Sequence, residues 1–305
     1  MDILLLIEHF LNALQYGLIL FLTASGLTLV FGILGFVNLN HGTLYMVSAL
    51  TSAKVYTASQ SFWLAGLAGL VAPICLGFIL HALVYFRLSK RNHLDQVLGT
   101  FAIILILNEF SRMYFGRQPY QISTPEIFEG AMQIWGDLYY SKYKLFVLTI
   151  SGFVSLILWF VIARTKLGML VRAGATQLEI VEAMGVNIRW LNLAVFGIGF
   201  ALAGVAGVMT APMQAVEIGM GEHALVVMLV AIVVGGVGSI KGCLIACLAI
   251  GFLDVIGKSI APILLQEILP AELVASISGL LSSTSIYLIL ILTLLFKPSG
   301  LFNKV

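Results

Sequence analysis

Long apolar stretches separated by short polar breaks dominate this chain. A helix needs about 20 mostly apolar residues to cross the hydrocarbon core of a bilayer, and about nine candidate segments follow one another. The segments that lie at 43–56 and within 224–257 are short and broken by glycine, as expected of helices that stop partway through a membrane. The pattern predicts an all-α integral membrane protein, a polytopic bundle of about 8–9 transmembrane helices with short or broken helices. The apolar segments cover residues 14–35, 43–56, 63–86, 97–115, 145–163, 191–211, 224–238, 242–257 and 285–296.

Composition supports a lipid environment. The chain is 60% hydrophobic and 10% charged, with a mean hydropathy of +1.07, whereas a soluble domain carries about 25% charged residues. The 16 Lys and Arg nearly balance the 14 Asp and Glu, so the chain has no basic surface for nucleic acid. The lipid bilayer is therefore the expected partner of its surface, and nucleic-acid binding is excluded as a function.

We expect one transmembrane domain over residues 1–305, with two loops that stand out by length. If the loop at 164–190 and the C-terminus are cytoplasmic, ten of the 16 Lys and Arg lie inside, Lys304 among them. That orientation places the N-terminus outside and requires an odd number of crossings, either nine or seven with re-entrant segments. The inner loop predicts one or two amphipathic helices. The outer loop, 112–144, is rich in aromatic residues and is expected to lie on the membrane face.

A polar break separates the first two apolar segments and contains Asn38, Asn40, His41 and Gly42. Polar groups at membrane depth need hydrogen-bond partners. Two interpretations stay open: a helix cap and turn near the inner surface, or a helix break that lines the substrate path.

A glycine cluster that contains Gly235, Gly236 and Gly238 suggests a phosphate-binding loop, but its spacing does not fit a nucleotide site. No spacing of His, Cys, Asp or Glu predicts a metal site, and no catalytic constellation predicts an enzyme. The sequence thus predicts no catalytic residue, metal or cofactor in this chain.

Acidic residues within the apolar segments are few. Glu109 and Arg112, and Asp254 and Lys258, are spaced to pair on their own helices. Ion-coupled transporters usually carry a buried carboxylate near the midplane, and none is evident in the sequence. A self-contained secondary transporter is therefore the alternative and not the leading interpretation.

The inner loop has two interpretations. It is either a solvated amphipathic segment or a docking helix whose apolar face, formed by Val171, Ile180, Ala183 and Met184, enters a groove of a partner protein.

Several motifs together resemble one family of transport proteins. They are GLTLVFG at 26–32, VNLNHG at 37–42, TKLG at 165–168, EAMGV at 182–186 and GGVGSI at 235–240. In these motifs the chain resembles the permeases of branched-chain amino acid ABC transporters, and specifically the first permease subunit of the two-permease type. Asn40 departs from the pattern, because an apolar or small residue is more usual at that position.

The resemblance implies roles for two groups of residues. The coupling loop that contacts the ATPase would include Gly168, Arg172, Ala173, Glu179, Glu182, Ala183 and Gly185. The translocation pathway would include Asn38, Asn40, His41, Gly42, Gly235, Gly236 and Gly238.

The resemblance also implies partners and a location in the bacterial cytoplasmic (inner) membrane. The partners would be a second related permease or another copy of this chain, two cytoplasmic ATP-binding subunits that use ATP and Mg, and an extracytoplasmic substrate-binding protein. The chain would be a transport subunit and not an enzyme. Its cargo would be leucine, isoleucine or valine. The alternatives are urea or short amides, or an ion-coupled transporter of a small amino acid.

Overall fold

The computed structural model describes residues 3–266 and 270–302, so Lys304 lies outside the described residues. Within them, seven helices are long and apolar enough to cross a membrane, which confirms the predicted all-α polytopic bundle. Two further helices, α2 and α8, are shorter and lie among them. The helices are α1 (Ile3–Leu34), α2 (His41–Ser59), α3 (Phe62–Leu88), α4 (His93–Phe115), α5 (Lys142–Arg164), α6 (Lys166–Ala183), α7 (Ile188–Thr210), α8 (Met220–Gly235), α9 (Ile240–Leu265) and α10 (Ala271–Phe296).

Helices α1 and α7 form the centre of the bundle. In the most apolar 18-residue stretch of each helix, 72% of the residues of α1 and 67% of those of α7 are buried. The corresponding share in α10 is 17%, which leaves its surface for lipid. Small residues allow the central backbones to approach closely. Gly199 of α7 packs against Gly26 of α1, and Gly207 lies against Tyr45 and Ser48 of α2.

A short β-hairpin, which the sequence analysis did not predict, marks one side of the bundle. Strands β1 (Ala131–Trp135) and β2 (Leu138–Ser141) pair antiparallel within the loop expected to lie on the membrane face. The Tyr140 hydroxyl donates to Asn12 Oδ1 at 3.2 Å, in the third turn of α1. We call this the hairpin side and the opposite side, where α6 lies, the α6 side. The first helix starts on the hairpin side and α10 ends on the α6 side.

Helices α2 and α8 both begin inside the bundle. The chain leaves α1 on the α6 side and returns through residues 35–40 in a non-helical conformation before α2 begins. Likewise, residues 211–219 connect the end of α7 to α8. The prediction of short helices is confirmed at α2 and α8, whose first turns meet. The short segment predicted at 242–257 is wrong, because α9 continues to Leu265 and is long enough to cross the membrane.

Candidate functional site

The first turns of α2 and α8 cross at two glycines, Gly42 and Gly221. A Cβ atom on Gly42 would collide with the Gly221 carbonyl oxygen, and one on Gly221 would lie 2.5 Å from the Gly42 carbonyl oxygen. Only glycine therefore permits this approach of the two backbones. We call this crossing the tip junction. Its position deep in the bundle favours the helix-break interpretation of the polar segment over a cap at the membrane surface.

Two side chains of α4 accept hydrogen bonds from the backbone of the segment that leads to the tip junction. The Val37 N–H donates to Gln96 Oε1 at 3.2 Å, and the Leu39 N–H donates to Thr100 Oγ1 at 3.4 Å. Thr100 is seven residues into α4, which places it about 10 Å along that helix. Non-helical backbone at membrane depth needs such partners, because lipid supplies none.

Four polar residues at the tip junction are buried but incompletely hydrogen-bonded. Asn38, Asn40, His41 and Thr43 are each no more than 1% exposed. Asn40 Nδ2 donates to the Tyr85 hydroxyl at 2.6 Å, but Asn40 Oδ1, Asn38 Nδ2 and Thr43 Oγ1 have no partner. Both ring nitrogens of His41 also lack one, although the Thr23 carbonyl lies nearby. Such groups cost about 1–3 kcal/mol each, and in membrane interiors they mark functional positions.

A half-buried carboxylate lies at the tip junction, where the sequence pattern showed no membrane carboxylate. Glu222 lies in the first turn of α8, and its Oε1 accepts a hydrogen bond from Asn108 Nδ2 of α4. Its Oε2 is buried without a partner. The sequence pattern missed this residue because the predicted apolar segment began at Ala224, which left Glu222 in a loop. The N-terminal end of a helix stabilises negative charge at this position.

The predicted glycine cluster lies apart from the tip junction, on the α6 side. Gly236 and Gly238 have positive φ angles in the turn between α8 and α9. Gly235 packs against Gly242, and Gly238 packs against Gly32 of α1. The structure thus does not bring the two predicted pathway groups together. It gives Gly235, Gly236 and Gly238 a visible role in close helix packing.

A partly open cavity of about 440 Å³ lies directly above the tip junction, in the hairpin-side half of the bundle. Helices α1, α2 and α8 and the loop before α8 line it. Its deepest α1 residue is Thr23, one turn from Gly26, which contacts the His41 ring. None of the predicted pathway residues lines it. The lining consists of Tyr16, Ile19, Leu20, Thr23, Tyr45, Gln214, Ala215, Glu217, Met220, His223, Ala224 and Val227.

The first half of α6 is anchored to the bundle. Thr165 caps the helix by accepting from the Gly168 N–H at 3.2 Å, and the Arg172 guanidinium donates to the Ile162 carbonyl. Gly168 lies so close to that carbonyl that a Cβ atom would collide with it. Val171 is 4% exposed, so its predicted place on a docking face is wrong: it packs into the core.

The second half of α6 is largely exposed, although Val181 is buried. A non-helical Gln177 kinks the helix, in agreement with the prediction of one or two short helices. Ile180 is 53% and Met184 is 78% exposed, and Gly185 has a φ of +83° with nothing within 4 Å of its Cβ position. The exposed residues also include Ala173, Glu182 and Ala183, while the side chain of Glu179 lies outside the described residues. We call the exposed residues Ala173, Ile180, Glu182, Ala183, Met184 and Gly185 the α6 surface.

The two predicted ion pairs within helices are present. Arg112 pairs with Glu109, and the Lys258 ammonium lies 2.7 Å from Asp254 Oδ1. Ser282 of α10 also donates to Asp254 Oδ1 at 2.8 Å. Both carboxylates thus have a basic partner on their own helix, and the Lys258 ammonium lies 6.0 Å from the ring centroid of Tyr16, which lines the cavity.

Comparison with known proteins covers almost the whole chain. Residues 9–296 match the family described as branched-chain amino acid transport system / permease component. The chain is 25% identical to the high-affinity branched-chain amino acid transport system permease protein BraD of Pseudomonas aeruginosa, over 98% of this chain and 96% of the relative. The LivH permease protein of the same description from Escherichia coli K12 is also 25% identical over the same shares. The ribose import permease protein RbsC of Escherichia coli K12 is 22% identical over 81% of this chain and 77% of the relative.

Proposed function

Because the chain belongs to the family of permease components of branched-chain amino acid transport systems, we propose that it forms part of the translocation pathway of an ABC importer for leucine, isoleucine and valine. The match of residues 9–296 to this family carries the proposal, and the relatives BraD and LivH are named for this cargo. The tip junction supports it, since helices that begin partway through a membrane are typical of transport pathways.

The α6 surface is the proposed contact with the ATP-binding subunits. Exposed apolar side chains on a segment next to a membrane bundle mark a protein interface. Ile180 and Met184 supply such side chains, and they follow the kink at Gln177, after the half of α6 that is anchored to the core. In this proposal ATP and Mg are bound and hydrolysed by the partner subunits, and their closure moves α6.

The remaining proposed partners follow from the same assignment. A second related permease, or another copy of this chain, would complete the pathway, and an extracytoplasmic binding protein would deliver the cargo. The hairpin side would then face outward from the cytoplasmic membrane. The α6 side would face the cytoplasm, in agreement with its excess of Lys and Arg.

Copurification of the assembled complex tests the proposal. Met184→Asp and Glu182→Lys should reduce retention of the ATPase subunits and ATP-driven leucine uptake, because the first places a charge in an apolar contact and the second reverses a charge on the α6 surface. Met132→Asp is the matched control, since Met132 is 49% exposed on the hairpin. Uptake of ribose or urea in place of leucine by the wild-type complex would overturn the cargo. Full ATPase retention in both α6 variants would overturn the proposed contact.

A further inference from the structure

Two helix faces form opposite walls of the cavity. Tyr16, Ile19, Leu20 and Thr23 of α1 recur at the spacing of one helix face, three, four and seven residues apart. Helix α8 repeats that spacing with its own four lining residues, Met220, His223, Ala224 and Val227. The cavity is therefore a groove between two continuous stripes of side chains and not an accidental gap at one loop.

The cavity lining combines apolar side chains with charged and polar ones. Ile19, Ala224 and Val227 offer apolar contact, whereas Glu217 and His223 bring charge and hydrogen-bonding capacity to the same space. Glu217 is the one carboxylate among the lining residues. Ligand sites are commonly apolar cavities of about 300–1,000 Å³ with a few polar groups that fix orientation. An aliphatic molecule with a cationic amine and an acceptor group fits this division.

Resting on the proposed function, we propose that the cavity is the site that an aliphatic amino acid occupies during passage through the permease. Glu217 binds the α-ammonium group, and His223 donates a hydrogen bond to the carboxylate. The aliphatic side chain lies against Ile19, Ala224 and Val227. The tip junction closes the cavity towards the α6 side, so the amino acid waits there until the two helix ends separate.

Thiol protection in the purified complex tests occupancy directly. In a Cys75→Ser background, which removes the exposed native thiol, the Val227→Cys variant is treated with a methanethiosulfonate reagent. Leucine should slow the modification. The hydroxy acid analogue, in which a hydroxyl replaces the ammonium, should protect about tenfold less well, because it loses a charge-assisted hydrogen bond. Glu217→Gln should remove this difference between the two ligands.

A size test in proteoliposomes accompanies the thiol measurement. Ala224→Phe fills the cavity and should lower leucine uptake at least about tenfold, whereas Val226→Phe, at a side chain 43% exposed outside the lining, should change it little. Absence of leucine uptake by the wild-type complex would refute the proposed function. Wild-type uptake together with equal modification rates with and without leucine would refute the cavity site alone, and so would normal uptake by Ala224→Phe.

Discussion

Glycine is favoured at the tip junction by close packing and at the α6 surface by backbone conformation. At Gly42 and Gly221 the backbones touch, so any side chain meets a carbonyl oxygen. At Gly185 nothing lies within 4 Å of the Cβ position, and only the φ of +83° favours glycine. The residues of the tip junction are thus dictated by contacts within the chain, whereas the exposed residues of the α6 surface have no such contacts to explain them. Substitution should break folding at the first place and assembly at the second.

Gly42→Val should have the largest effect. The added side chain overpacks a backbone contact, which costs about 3 kcal/mol or more where neither helix can move aside. We expect a marked fall in yield and in the thermal unfolding temperature of the detergent-purified protein. Gly279→Val is the control, because Gly279 lies in α10 with nothing near its Cβ position. Equal unfolding temperatures for the two variants would contradict the observed crossing.

Asn108→Leu should have an intermediate effect at the same junction. It leaves the Glu222 carboxylate without its donor, and an unsatisfied buried group costs about 1–3 kcal/mol. In the double variant Asn108→Leu with Glu222→Leu the loss should be smaller than the sum of the single losses. Thermal unfolding of the four proteins measures this coupling, and strictly additive losses would show that the two side chains do not depend on each other.

Two variants of Gly185 distinguish the effect of backbone conformation from the effect of partner contact on the α6 surface. Gly185→Asn should be tolerated, because asparagine adopts positive φ more readily than other residues. Gly185→Trp should leave unfolding of the bundle nearly unchanged, apart from local strain of about 1–2 kcal/mol, and should reduce copurification of the ATPase subunits. If the Trp variant retains those subunits as well as the Asn variant does, Gly185 does not lie at the interface.

Accessibility to a membrane-impermeant thiol reagent should distinguish the two sides with the smallest disturbance. Ser123 precedes the hairpin and Gln177 lies at the α6 kink, and both are exposed. In intact cells, Ser123→Cys should be labelled and Gln177→Cys should not, with no change in uptake. The reverse pattern would invert the orientation and remove the α6 surface from the cytoplasm.

Hydropathy located the lipid-facing helices α3, α4 and α5 to within a few residues, because their apolar surface reflects the surrounding lipid. It found only residues 285–296 of α10, whose first half contains several serines. Helix α2 is enclosed by the bundle, so its polar residues, such as Ser48 and Ser52, made it only a short segment in the sequence. The hairpin was missed because its aromatic residues are equally typical of a flat interfacial loop.

The sequence located candidate positions only where they are contiguous in the chain. The polar break at residues 38–42 and the exposed end of α6 are local features, and the sequence located both. The cavity combines three helices and a loop between Tyr16 and Val227, a combination that only tertiary packing creates. Val171 was assigned to the wrong surface because the sequence shows an apolar face without showing what covers it.

The hydrogen bonds that hold the segment before α2 have a consequence for biosynthesis. Val37 and Leu39 are bonded by side chains 59 and 61 residues further along the chain. At about 5–20 residues per second, those partners are synthesised roughly 3–12 seconds later. During that interval the two N–H groups lack these α4 partners, and lipid supplies none. We therefore expect α2 to settle in the membrane only after α4 is synthesised, and nascent chains stalled before Gln96 should leave α2 accessible to water.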